Sequence, residues 1–237
     1  MPNPMHLPAG VSTATKRSTL VDYPRPDPTK VYQYFNDFDT YAAGDWTITE
    51  INDATQALVA DAPFGALGVT LAGADNDGCQ MQLTTENFTI TSGKKTWFKA
   101  RFKISDATQS DFAIGLIILD TTILGSTDGD GATDGIFFSK EDGDANLDFN
   151  CQLDTTTGQS RSTAIATVAD DTYLSVGFVY DGKSTIKYFV NDVHKGTMSV
   201  STSVLPNTPV TVSFAVLAGE AEATVFTVDY LFAAQER

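Results

Sequence analysis

Residues Thr172–Gly196 constrain the fold more than any other stretch, reading Thr-Tyr-Leu-Ser-Val-Gly-Phe-Val-Tyr-Asp-Gly-Lys-Ser-Thr-Ile-Lys-Tyr-Phe-Val-Asn-Asp-Val-His-Lys-Gly. Side chains alternate along an extended chain, so Leu174, Val176, Phe178 and Tyr180 share one side while Tyr173, Ser175, Gly177 and Val179 share the other. Beyond Asp181-Gly182 the alternation resumes, with Ile186, Tyr188 and Val190 on one side and Thr185 and Lys187 on the other. The chain has reversed without losing its pattern, which predicts a hairpin, and Asn191-Asp192 leads into a third strand. A broad antiparallel sandwich is built from such units.

The same grammar continues through most of the chain. Strands are expected near Val31–Phe38, Trp46–Ile51, Leu67–Leu71, Gln80–Ile90, Thr96–Ile104, Phe112–Leu119, Gly135–Ser139, Leu147–Leu153, Ser162–Val168, Tyr173–Tyr180, Thr185–Val190, Val193–Val200, Val210–Leu217 and Thr224–Phe232, separated by Gly, Asp, Asn and Ser turns. Alternation is clearest in Thr96–Ile104, where Phe98, Ala100, Phe102 and Ile104 face a core and Trp97, Lys99, Arg101 and Lys103 face away. Some fourteen strands exceed a small immunoglobulin-type domain, and no linker interrupts them. Residues 31–237 therefore read as one all-β antiparallel sandwich domain.

Residues 1–30 differ. They hold six of the nine prolines and little hydrophobic periodicity, so an extended N-terminal arm is expected. Its charges sum to +2 against −17 for the remainder, which suits an arm lying along an acidic surface; a frayed tail is the alternative. The net charge of −15 argues against a nucleic-acid partner, because phosphate neutralisation needs clustered Lys and Arg. Six Glu against twenty-four Asp, with abundant Thr, Gly and Asn, predict minimal helix. Met1–Pro8 lacks the apolar run of a secretory signal, and the longest later run, Ile114–Leu119, is strand-sized, so no membrane span is expected. Cys79 and Cys151 form no CxxC and read as buried thiols in preference to a disulfide.

The Phe-Asn-Asp-Phe-Asp opening at Phe35–Asp39, the Trp-Phe-Lys-Ala-Arg-Phe-Lys strand, the Leu174–Val190 hairpin with its Asn-Asp turn, and the closing Thr-Val-Asp-Tyr-Leu-Phe strand resemble the concanavalin A-like lectin/glucanase superfamily. The resemblance runs from about Tyr32 to Ala233 and implies a jelly-roll sandwich, a scaffold shared by lectins, glycosidases and structural modules. Laminarinase-like members carry Glu-x-Asp-x-Glu or a close variant on one strand, with nucleophile and acid/base on one face. This chain lacks it. Only Glu220 and Glu222 have i, i+2 spacing, in a Gly-Ala-rich turn that reads as a solvated loop. His194 alone could serve a Ser-His-Asp arrangement, since His6 lies in the arm. No catalysis and no cofactor are expected.

Two acidic loops and two tryptophans remain. Asp128, Asp130 and Asp134 could offer oxygens to calcium, as legume-type lectins do with theirs, but no Glu closes the loop and a solvated turn is the favoured reading. Asp75–Gly78 reads the same way. Trp46 and Trp97 are candidates for stacking on a sugar, Trp97 the better because Lys99 and Arg101 share its side, against core or inter-subunit packing as the usual fate of a sandwich Trp.

In general arrangement the chain resembles a tailed-phage capsid decoration or cement protein. That resemblance implies a non-enzymatic virion structural protein, made in the host cytoplasm and placed on the capsid exterior. Lys16, Arg17, Tyr23, Arg25 and Lys30 of the arm would bind the major capsid protein, and the chain would form a homo-oligomer, a trimer ahead of a dimer. The alternative is a carbohydrate-binding, lectin-like module of a phage fibre or bacterial surface protein, with glycans as partners. A glycoside hydrolase whose carboxylates pair only in space ranks third.

Overall fold

The hairpin that anchors the sequence argument forms as expected: β11 (Leu174–Tyr180) and β12 (Thr185–Val190) pair antiparallel, with Phe178 opposite Tyr188 and Val176 opposite Val190. Asp181 holds the turn. Its Oδ1 accepts the N–H groups of Lys183 (2.8 Å), Ser184 (3.0 Å) and Thr185 (3.0 Å), and its Oδ2 accepts the Thr185 hydroxyl at 2.7 Å. Gly182 supplies the left-handed φ of +77° that the reversal requires. Burial pushes the Asp181 carboxyl up, but these donors to its charged form more than offset that and hold its pKa down to about 2.

The computed structural model describes residues 29–123, 132–153 and 158–237. Among them lie fifteen strands in two antiparallel sheets. One sheet runs β13 (Val193–Ser199), β12, β11, β6 (Thr96–Ile104), β15 (Val225–Glu236), β4 (Leu67–Leu71), β3 (Ala54–Leu58), and β1 (Val31–Asn36) lies beside the C-terminal half of β15. The other runs β10 (Gly158–Thr167), β9 (Asn146–Leu153), β8 (Asp134–Lys140), β7 (Ser110–Ile117), β14 (Thr211–Ala218), β5 (Gly78–Leu83), β2 (Trp46–Ile51). One short 3₁₀ turn, Ala43–Asp45, precedes β2.

The inner faces meet in an aromatic core. Phe98 stacks on Phe178 at 5.5 Å, Phe102 meets Phe112 edge-on at 5.0 Å, and Phe214 stacks on Phe226 at 6.1 Å. β6 alternates buried and half-buried along its full length, as its sequence dictates. Trp46 belongs to this core, between Phe38 and Phe214. Cys79 and Cys151 are buried and unjoined, and burial pushes both thiols up to about 12.

Three expectations need correction. β3 was absent from the expected strands, because Ala-Thr-Gln-Ala-Leu has neither strict alternation nor a run of branched residues; it forms by pairing with β4. The strand expected over Gln80–Ile90 ends at Leu83, where the Thr84 N–H turns to the Asp45 carbonyl, and only an isolated bridge between Phe88 and Val210 follows. Asp75–Gly78 is not a solvated turn throughout: Asp77 is buried, accepting the Ala74 N–H at 2.6 Å and the Asn52 amide, and these bonds lower its pKa.

Candidate functional site

The two sheets leave different outer faces. On the seven-stranded sheet, β5, β7, β8 and β14 are buried on both sides. Its outer face carries Ala113, Ile117, Phe137, Ala215 and Leu217, and the β7–β8 connection lies on them through Ile123 and Ala132. Glutamines projecting from the sheet secure the cover. Gln82 donates to the Ile118 carbonyl (2.8 Å) and accepts the Asp120 N–H (3.0 Å); Gln80 accepts the Ile123 N–H (3.1 Å) and donates to the Asp120 carbonyl; Gln152 donates to the Ala132 carbonyl. Sequence reasoning missed all three glutamines, since an alternating Gln reads as a solvent position.

Among the described residues no segment covers the outer face of the eight-stranded sheet. β6 presents Lys99, Arg101 and Lys103, each with an acidic partner: Asp192 at 2.5 Å, Asp229 at 2.5 Å and Asp171 at 3.0 Å. The Arg101 guanidinium also lies 4.0 Å from the centre of the Tyr173 ring. Register sets Phe189, Gly177, Lys99, Phe232 and Phe35 in one row across five strands. A mainly apolar depression of about 320 Å³ sits on that row, with Trp97 and Val179 beside it. Trp97 is thus half-buried at the surface, with the cationic neighbours expected of it, while Trp46 is core.

A second hollow, of about 280 Å³ and polar, opens where β1 ends, lined by Tyr34, Phe35, Asn36, Asp45, Thr84, Thr85 and Asn87 among others. The Phe35–Asp39 motif shapes it. Asn36 Oδ1 accepts the Phe38 N–H (2.9 Å), which lets Phe38 take a φ of +52° and bury its ring, and the Asn36 amide donates to the Tyr34 hydroxyl at 3.2 Å. Burial, more than any neighbour, raises the Tyr34 pKa, so that hydroxyl stays protonated. Across the hollow the Asn87 amide donates to Thr85 Oγ1 at 2.8 Å. Phe35 stands at the mouth, 58% exposed and 6.5 Å from the Tyr230 ring.

The other sequence-derived candidates are dispersed. Lys16, Arg17, Tyr23 and Arg25 lie outside the described residues, and Lys30 occupies the turn before β1, its carbonyl accepting the Arg237 N–H at 2.8 Å. Asp128 and Asp130 are also outside them, whereas Asp134 begins β8 and accepts the Thr208 hydroxyl at 3.1 Å. Glu220 and Glu222 meet Asp106, which sequence spacing did not foretell, with carboxylate oxygens within 4.8 Å of one another. Asp106 already accepts the N–H groups of Thr108 and Gln109 at 2.9 and 2.8 Å. His194 is exposed, beside Phe189 and Thr197.

Among solved structures, a protein of unknown function from Shewanella oneidensis MR-1 superposes with a TM-score of 0.63 at 12% identity, covering 95% of this chain and 97% of that one. An endo-1,3-beta-glucanase from Streptomyces sioyaensis gives 0.59 at 12% identity over 90% and 99%, and peanut lectin gives 0.58 at 12% identity over 88% and 98%. The chain has the concanavalin A-like lectin/glucanase fold. Identities this low speak for the scaffold alone. No family model and no curated protein matches the sequence.

Proposed function

We propose that this chain is a non-catalytic, lectin-like carbohydrate-binding module, and that the polar hollow beside Phe35 receives the sugar. One observation carries the reading: an exposed aromatic ring stands at the mouth of a hollow furnished with Asn36, Asn87, Asp45 and Thr85. A pyranose has apolar C–H faces and a rim of hydroxyls, so a ring takes its face while amide, carboxylate and hydroxyl groups take its edge. The outer face of the seven-stranded sheet would be the other broad surface for a chain of sugars, and the β7–β8 connection lies on it. Among the described residues Asp45 is the one carboxylate lining the hollow, whereas glycoside hydrolysis works with a flanking pair, which supports binding without chemistry.

Such a module would belong to a phage fibre or a bacterial surface protein. The capsid-decoration role rests on arm residues of which only Lys30 is among the described ones, and no described feature favours it over sugar binding. A glycan array probed with the chain is expected to return a defined set of sugars. Phe35→Ala, at a side chain too exposed to be needed for folding, is expected to weaken binding about tenfold. An array without signal, or one unchanged by both Phe35→Ala and Asn87→Ala, overturns the sugar site. Polysaccharide hydrolysis abolished by Glu220→Gln or Glu222→Gln overturns the non-catalytic half of the reading.

A further inference from the structure

Phe64 is 86% exposed, the most exposed large apolar side chain among the described residues. It is presented on a rigid support. Phe64 has a φ of +70°, a conformation that a bulky aromatic rarely adopts, and Gly65 follows at +90°. Gly65 is seated so tightly that an added Cβ would lie 2.5 Å from the carbonyl oxygen of Asp37 and the carbonyl carbon of Phe38. The ends of the loop are closed by Val59 N–H to the Ala66 carbonyl (2.9 Å), and Gly65 N–H returns to the Ala62 carbonyl (3.1 Å). A strained, braced turn that holds an aromatic ring in water is the form of an interface anchor. Asp61, exposed in the same loop, makes its flank acidic.

The complementary surface is on the same molecule. The depression at Gly177 is walled by Trp97, Val179, Phe189 and Phe232, and its rim carries the Lys99–Asp192 ion pair and, opposite Val179 in the register, the exposed Lys187. We propose that the chain self-associates by inserting Phe64 of one copy into the Gly177 depression of another, with Asp61 meeting Lys187. The volume of about 320 Å³ accepts a phenyl ring with its Pro63 neighbour, and Gly177 leaves the floor clear. Opposite charge at this junction matters in a chain of net charge −15, whose copies otherwise repel. Donor and acceptor are different patches, so each copy carries one of each and the contact can propagate around a closed ring. Trp97 then has an inter-subunit role.

The test uses the full chain, sedimentation velocity and two surface variants. Wild type is expected to be oligomeric, and Phe64→Ser and Val179→Glu are each expected to weaken association on the order of 30-fold or more and to run as folded monomers with an unchanged far-ultraviolet spectrum. Mixed, the two variants recover one intact junction, donor from Val179→Glu and acceptor from Phe64→Ser, and should form a dimer and nothing larger. Trp97→Ala provides a second acceptor variant should Val179→Glu not fold. A wild type that stays monomeric, an oligomer indifferent to Phe64→Ser, or a mixture that stays monomeric each overturns the proposal.

Discussion

The two outer faces of this sandwich begin from the same strand grammar and end differently. On the seven-stranded sheet Ala113, Ile117, Phe137, Ala215 and Leu217 point outward with Gln80 and Gln82 among them, and Ile118, Ile123 and Ala132 of the β7–β8 connection lie on them. On the eight-stranded sheet they are lysine, arginine and aromatic residues, and they stay open, each β6 cation paired with an acid brought in from a loop or from β15. A charged side chain costs several kcal/mol to cover, whereas a glutamine that finds a backbone partner costs little. Outward residue type in the middle of each sheet therefore goes with which face is covered by the chain and which is left to solvent.

The sharpest way to break this contrast is to truncate one aromatic on each face. Phe137→Ala, beneath the β7–β8 connection, is expected to lose about 3–5 kcal/mol in urea unfolding, against about 1–2 kcal/mol for Trp97→Ala on the open face. Equal losses would mean that the cover contributes no burial. Next in size is Gln82→Leu, which strands the Ile118 carbonyl and the Asp120 N–H and is expected to cost about 1–3 kcal/mol and to speed proteolysis near Ile118–Thr122. Lys103→Ala, which removes an exposed ion pair across from it in kind, should change stability by about 1 kcal/mol or less. A larger loss there than at Gln82 would reverse the roles assigned to the two faces.

How much of this was legible depends on how local each signal is. Period-2 alternation in Thr96–Ile104 and the Asp181-Gly182 turn depend only on neighbours in sequence, and the structure follows them residue by residue. The cover was not legible. Gln80, Gln82 and Gln152 bond to segments 20 to 43 residues away along the chain, and nothing in an isolated strand separates such a glutamine from a solvated one. β3 was missed for the same reason, since only β4 makes Ala54–Leu58 a strand. The polar hollow is half legible: the Phe35–Asp39 motif stands in the sequence as a feature of the fold, but Asp45, Thr85 and Asn87 reach the hollow from beside β2 and β5 of the other sheet. Phe64 carries a local signal, a Pro-Phe-Gly in a strand-to-strand loop, where an aromatic ring has no core to face.

The smallest contrast is electrostatic and tests whether burial on the covered side reaches the end of the sheet. Asp111, an outward position of β7, is buried and accepts the Asp142 N–H at 2.5 Å. Burial pushes its carboxyl up to about 6, against the opposing pull of that N–H and of Lys140, whose ammonium is itself lowered by burial and donates to the Thr108 (3.0 Å) and Ser110 carbonyls. The folded state therefore holds the Asp111 proton more tightly than the unfolded chain, where the carboxyl titrates near 4. The stability this provides is complete below pH of about 4 and is lost as pH rises through about 6, a decline of about 1–2 kcal/mol after allowing for partial solvent screening. Asp111→Asn keeps an acceptor for the Asp142 N–H but cannot titrate, so the difference in unfolding free energy between wild type and variant should shift in the variant's favour between pH 4 and pH 6 and then level off. Asp181 bounds the window from below: its pKa of about 2 adds stability that is present above pH of about 4 and disappears as pH falls toward 2. A flat difference for Asp111→Asn across pH 4–6 would mean that water reaches this carboxylate, and that the covered face is open at its Asp111 end.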